Sequence, residues 1–189
     1  TRNKARYQTK ERMHHLALLD LQPSRDVRAI SQFLHKCFPE NELRSQKDLE
    51  RLLNQPTFHT WCYIENDQIQ AVLCGFVFEE YVFFEFLAVD EALRGQGMGR
   101  NILMQVIEEL AKPVILEVEP MHDTNSQRRI RFYERLGFHL CDTPYRMPKL
   151  DETHGDLELK LMSYPDPLTP EQFQQRVQHI YRYVYEKTI

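Results

Sequence analysis

Apolar positions recur along this chain with two periods, and the two alternate. "HLALLDLQP" alternates and ends in proline, which predicts a strand. "SRDVRAISQFLHKCF" puts Val27, Ile30, Phe33, Leu34, Cys37 and Phe38 on one helical face, with Ser24 as its cap. "ELRSQKDLERLLNQP" predicts a second amphipathic helix, stopped at Pro56. "FHTWCYIEN" and "QIQAVLCGFVFEE" read as strands joined by a hairpin turn at Asn66-Asp67. "YVFFEFLAVD" is a long strand, "NILMQVIEELAK" a helix and "PVILEVE" a short buried strand. "SQRRIRFYERLGF" is a helix closed by Gly137, and "LELKLMSY" a late alternating strand. "TPEQFQQRVQHIYRYVYEK" opens with Thr169 and Pro170 at cap and first-turn positions and lines up Phe173, Val177, Ile180, Tyr181 and Val184. The order, two strands and then β–α–β–α–β, predicts an α/β fold with a mixed sheet and helices on both faces.

Composition narrows the class. A chain of 189 residues with 42% apolar and 28% charged residues fits one soluble domain, expected over 13–189. Residues 1–12 hold five basic residues and one acidic, and read as an arm or an expression remnant. The rest has 19 basic and 27 acidic residues, a charge of −8, which argues against a nucleic-acid surface and favours a cationic partner. No apolar run approaches the roughly 20 residues of a membrane span. Cys37, Cys62, Cys74 and Cys141 show no paired metal spacing, so no metal is expected, and Cys62 and Cys74 read as buried thiols of a cytoplasmic protein.

Half of the six glycines stand in "RGQGMGR", Arg94 to Arg100, between a predicted strand and a helix. A helix N-terminus offers unpaired amides and a positive dipole end. Glycines let a ligand approach the backbone, and Arg94 and Arg100 add charge. The alternative is a tight turn with solvated arginines. Gly99 is followed by Arg100 and Asn101, which excludes a Walker loop. The glycine spacing fails the dinucleotide fingerprint, although Glu117 mimics its ribose acid. What remains is a cradle for another diphosphate, or the tight turn.

Arg94, Gly97 and Gly99 fit R-x-x-G-x-G. With "FLAVDEAL" before it and an apolar helix after it, the stretch resembles the acyl-CoA motif of the GNAT N-acetyltransferases. "FYERLGF", Phe132 to Phe138, resembles that superfamily's late helix, and "PVILEVE" lies between the two as its fifth strand. The resemblance runs from about Met13 to Tyr164, and "FPENE" and "EVEP" suggest a small bacterial-type branch. It implies the GNAT fold, a mostly antiparallel sheet of about six to seven strands, and acetyl-CoA as co-substrate. The backbone of Leu87, Ala88 and Val89 would pair with the pantetheine arm. Amides of Arg94, Gly95, Gln96, Gly97, Met98, Gly99 and Arg100 would hold the diphosphate. Tyr133 would protonate the departing thiolate. Seven residues before that tyrosine the family often has asparagine; here it is Ser126, with Asn125 one place off, and Arg129 replaces a common small residue.

An amine of pKa ~10.4 is neutral in only about one molecule in 2,500 at pH 7, a deficit of ~4.6 kcal/mol that a base or a desolvating site must offset. Candidate bases are Glu85, inside an apolar strand, Glu119, Glu117 and His122. Glu117 and Glu119 share a strand face by period two, with a solvated strand end as the alternative reading. His122 reads better as a surface histidine, and His14 and His15 as accidents of position. The expected activity is N-acetylation of a small-molecule or peptide amine, and a non-catalytic acyl-CoA sensor is the alternative. Tyr181, Tyr183 and Tyr185 pack the core or form a homodimer seam. "YRMPKL" is a candidate wall of the acceptor pocket.

Overall fold

A computed structural model describes residues 19–20, 23–148, 150 and 155–187. The predicted arm, Met13, His14 and His15 lie outside them. Among the described residues eight strands and five α-helices alternate, and seven strands run in the hydrogen-bonding order β1-β2-β3-β4-β5-β8-β6, with β7 also paired to β8. The strands are β1 (Leu19–Asp20), β2 (Phe58–Glu65), β3 (Gln68–Val77), β4 (Val82–Val89), β5 (Val114–Val118), β6 (His139–Leu140), β7 (Tyr145–Met147) and β8 (Leu157–Tyr164). The helices are α1 (Pro23–Cys37), α2 (Gln46–Leu53), α3 (Met98–Leu110), α4 (Thr124–Arg135) and α5 (Pro170–Tyr183). The sheet is mixed and mostly antiparallel, as expected.

These elements fall into two compact units. One holds the described residues up to Gly75 together with Phe86–Ala111. In it β1 pairs antiparallel with β2, Leu19 opposite Cys62. Asn66 and Asp67 both have positive φ, the conformation of a type I′ turn, so the predicted hairpin turn forms where expected. Ile30 and Leu34 of α1, Leu49 and Leu52 of α2, Ala71 to Leu73 of β3, and Ile102, Leu103 and Val106 of α3 are buried. Helix α1 begins at Pro23, so Ser24 lies inside it rather than capping it, and the proline takes a first-turn position that needs no N–H. Helix α2 is shorter than its amphipathic pattern. The Ser45 hydroxyl accepts from the Asp48 N–H at 3.1 Å and starts the helix there, behind a 3-10 turn at Glu40–Glu42.

The second unit holds Phe76–Glu85 and the described residues from Lys112 on. Strand β4 lies parallel to β5, with Val82, Phe83 and Phe84 opposite Val114, Ile115 and Leu116. A parallel pair needs a crossover connection, and α3 lies within it. Strand β8 runs antiparallel to β5 with Glu117 opposite Leu161, and carries β6 and β7 as further antiparallel partners. Strand β7 falls in the stretch expected to be a pocket wall; three residues are too few for alternation to reveal a strand. Of the late tyrosines Tyr185 is buried, Tyr181 half-buried and Tyr183 exposed.

Helix α5 has the predicted start. The Thr169 hydroxyl accepts from the Gln172 N–H at 3.2 Å, and the Gln172 side chain accepts from the Thr169 N–H at 2.9 Å. Thr169→Ala is expected to cost about 1 kcal/mol in urea unfolding at unchanged m-value. Unchanged stability would mean that buried Phe173 and Ile180 anchor the helix without its cap.

Candidate active site

In the first unit the chain leaves β4 at Val89. The Asp90 carboxylate accepts from the Ala92 N–H at 3.0 Å and starts a 3-10 turn over Glu91–Leu93. Arg94 is extended, Gly95 has φ 77°, and Gly97, the N-cap of α3, has φ 82°. That left-handed cap is strained for any residue with a Cβ. The first intrahelical bond of α3 runs from the Asn101 N–H to the Gly97 carbonyl at 3.0 Å. The amides of Met98, Gly99 and Arg100 therefore have no partner inside the helix, and the dipole adds positive potential there. No acidic side chain of α3 occupies its first turn. The buried Met98 side chain anchors this end, while Gly97 and Arg100 are exposed.

The loop is braced by its own side chains. Gln96 donates to the Ala92 carbonyl at 3.2 Å, and Arg94 Nε to the Val89 carbonyl at 3.3 Å. Arg94 thus engages one of the three backbone residues expected to pair with pantetheine; Leu87 and Val89 are half-buried and Ala88 is buried. The Arg94 guanidinium also neighbours Cys37. Burial pushes that thiol up, and Arg94 draws it only partly back.

In the second unit the end of α4 fixes Tyr133. Gly137 has φ 101°; its N–H bonds the Glu134 carbonyl at 3.0 Å, and the Phe138 N–H bonds the Tyr133 carbonyl at 3.1 Å. This is a Schellman ending, and the hydrophobic contact that accompanies it is the Tyr133–Phe138 ring pair, 5.4 Å between centroids. A Cβ at residue 137 would come within 3.3 Å of the Tyr164 ring. "YERLGF" therefore encodes the placement of Tyr133 directly. Burial pushes the Tyr133 hydroxyl up to about 12, with Arg129 pulling weakly the other way.

Ser126, the departure from the resembled pattern, completes the capping box of α4, whose N-cap is Asp123. Its hydroxyl accepts from the Asp123 N–H at 3.1 Å and donates to the Asp123 carbonyl at 3.0 Å, while its N–H bonds the Asp123 carboxylate at 2.8 Å. Ser126 is buried in this role, and Asn125 beside it is exposed.

The carboxylates gather where the β4–β5 ladder ends. One step beyond the last pair, Phe84 and Leu116, the same register reaches Glu85 and Glu117. Both share a sheet face with Phe83 and Ile115 by period two. Glu85 and Glu117 are half-buried. Strand β5 ends at Val118, so half-buried Glu119 stands one residue past it. His122 is exposed, as expected. Tyr145, in the stretch expected to wall the acceptor pocket, is here, and so is Tyr185, which sequence reasoning did not place at the site. Tyr185 donates its hydroxyl to Glu117 Oε1, and the buried Tyr145 hydroxyl is driven far up by burial, then by the charge of Glu117. The signal available for them was tyrosine in "YRMPKL" and in the C-terminal helix.

Residues 27–138, more than half of the chain, match the profile of the acetyltransferase (GNAT) family. YjbC of Bacillus subtilis (strain 168), named only provisionally as an acetyltransferase, is 32% identical over 120 residues, which are 62% of this chain and 60% of that protein. A solved structure from Bacteroides thetaiotaomicron with a similarly provisional GNAT name superposes with a TM-score of 0.81 at 26% identity, over 90% of this chain and 99% of its own. The ribosomal-protein-S18-alanine N-acetyltransferase of Escherichia coli shares the fold, with a TM-score of 0.62 at 22% identity over 82% and 96% of the two chains. The chain belongs to the GNAT acetyltransferase family, whose general reaction transfers an acetyl group from acetyl-CoA.

If the α3 amides hold the diphosphate, a side chain at residue 97 must disturb both the cap and the ligand. Gly97→Val is expected to weaken CoA binding at least tenfold by calorimetry and to lower stability by roughly 1–2 kcal/mol, the cost of a left-handed residue with a Cβ. Wild-type CoA affinity in a folded Gly97→Val protein would remove the diphosphate from this helix.

Proposed function

We propose that the chain is an N-acetyltransferase that moves the acetyl group of acetyl-CoA to a primary amine of a small molecule, peptide or protein by direct attack. The observation that carries this reading is the N-terminus of α3: a left-handed glycine cap, three amides outside the helix ladder and no acid in the first turn. Such an end takes a diphosphate through backbone donors and dipole together. Arg94 and Arg100 add charge, and the backbone of Leu87, Ala88 and Val89 binds the pantetheine arm.

Chemically, Glu85 or Glu119 takes the proton of the acceptor's ammonium, directly or through water, and offsets the ~4.6 kcal/mol deficit of a lysine-like amine. The neutral nitrogen attacks the thioester carbon. The carbon–nitrogen bond forms, the carbon–sulfur bond breaks, and the electron pair leaves on sulfur. Tyr133 donates a hydrogen bond to that sulfur. With its hydroxyl near 12 and an ordinary thiol near 8.5, complete proton transfer is uphill by roughly 5 kcal/mol. Tyr133 therefore stabilises developing charge more than it gives its proton away, and it stays protonated through any usual assay pH.

The excess of acidic residues suits a cationic acceptor. All four cysteines are free thiols, which suits a reducing, cytoplasmic setting. Among the described residues no helix is long and apolar enough to cross a membrane.

Two measurements test the reading. CoA thiol release with a panel of amines should depend on both the amine and acetyl-CoA; hydrolysis of acetyl-CoA indifferent to every amine would contradict transfer. Tyr133→Phe should lower kcat by about 10²-fold, the low end of general-acid contributions, and leave the KM for acetyl-CoA nearly unchanged. A kcat within about twofold of wild type would remove Tyr133 from the chemistry.

A further inference from the structure

We propose that Tyr185, on the segment following α5, is a positioning residue that holds the Glu117 carboxylate in place as the anion meeting the acceptor's ammonium group, so that the C-terminal segment helps select cationic acceptors. The proposal rests on the acetyltransferase reading. Tyr185 and its neighbour Tyr145 both lie beyond residue 138, where the family match stops.

The geometry is specific. Glu117 stands in β5, opposite Leu161 of β8 and on the face that continues from Leu161 through Leu159 to Tyr145 of β7. Tyr185 is buried and donates its hydroxyl to Glu117 Oε1. Its backbone is fixed in turn, because its N–H bonds the Ile180 carbonyl at 3.2 Å. The Tyr181 hydroxyl donates to the Arg146 carbonyl, and its ring meets that of Tyr145 edge-on at 6.1 Å. The end of α5 is thereby tied to β7 at two points on the same tyrosine.

A half-buried carboxylate is costly in its charged form unless hydrogen-bond donors replace water. The groups facing Glu117 act in opposite senses. Glu85 of β4, next along the β4–β5 register, and Glu119 on its own segment repel a second negative charge. The Tyr185 hydroxyl donates to that charge, and buried Tyr145, kept neutral by burial and by Glu117 itself, adds a phenol beside it. Tyr181 stands behind Tyr145 and senses Asp156 as well as Glu117. Removing the Tyr185 hydroxyl takes away the donor and leaves the repulsion, so Glu117 must protonate at higher pH.

Tyr185→Phe keeps the buried ring and deletes only the donor. The Glu117 carboxyl is followed by carbon-13 NMR across pH in wild type and variant, a readout that needs no turnover. Its midpoint should rise by about one to two pH units, the usual effect of a charge-assisted hydrogen bond. In kinetics, the KM for a cationic amine should rise by up to about threefold at pH 6 and recover above pH 8, with the KM for acetyl-CoA unchanged. In a Glu117→Gln background the same substitution should have no further effect. An unchanged carboxyl titration, or a KM defect equal at every pH, overturns the positioning role. If no amine is acetylated by wild type, the acetyltransferase reading fails by itself, and the carboxyl titration still decides whether Tyr185 governs Glu117.

Discussion

Helix α3 starts behind a left-handed glycine, and its first three amide groups have nothing inside the helix to bond. Helix ends elsewhere in this chain solve that problem with side chains: Ser45 for α2, Asp123 for α4 and Thr169 for α5 each accept an orphan N–H. Helix α3 has glycine at the same position and no side-chain acceptor. The contrast gives the feature its meaning. Those three N-termini close internally, and that of α3 is kept open, braced from behind by Gln96 and Arg94, with arginines on both sides. An open, positively polarised helix end suits an oxyanion, and the proposed diphosphate role would account for the concentration of glycine there.

The second unit has the complementary problem of keeping negative charge in a partly buried place. Its carboxylates stand where the parallel β4–β5 ladder stops, so strand geometry puts Glu85 and Glu117 side by side on one face. Phenols from distant parts of the chain come to Glu117, Tyr145 from β7 and Tyr185 from beyond α5. Burial and the neighbouring Glu117 charge keep the Tyr145 phenol protonated, and the Tyr185 hydroxyl is the donor to Glu117. Tyr133 obeys the same rule at the end of α4, where a Schellman ending sets its position and burial keeps its proton on.

Much of this was legible in the sequence because it is written locally. Asn66-Asp67 fixes a turn, Thr169-Pro170 a helix start, and Leu136-Gly137-Phe138 a helix end, each within a few residues. The glycine motif is local too, and it points to the chemistry as well as the fold. What was not legible depends on partners far apart in the chain. Glu117 looked like half of an alternating acidic pair, yet β5 ends before Glu119, and 68 residues separate Glu117 from Tyr185. Strands β6 and β7 have two and three residues, too short for a period to show, and exist because β8 offers them an edge. The pattern of α2 ran past its real start because amphipathic spacing continues through the 3-10 turn, and only the Ser45 cap marks the boundary.

The account stands on the α3 N-terminus as the place where CoA is held, and amide NMR reads that site residue by residue. CoA added to nitrogen-15-labelled protein should move the amide signals of Gly97, Met98, Gly99 and Arg100 most strongly, with those of Leu87 to Val89 next. Desulfo-CoA should give the same pattern, because the diphosphate and not the thiol does the binding at this end. Saturable binding that left the residue 97–100 amides unmoved would contradict the account.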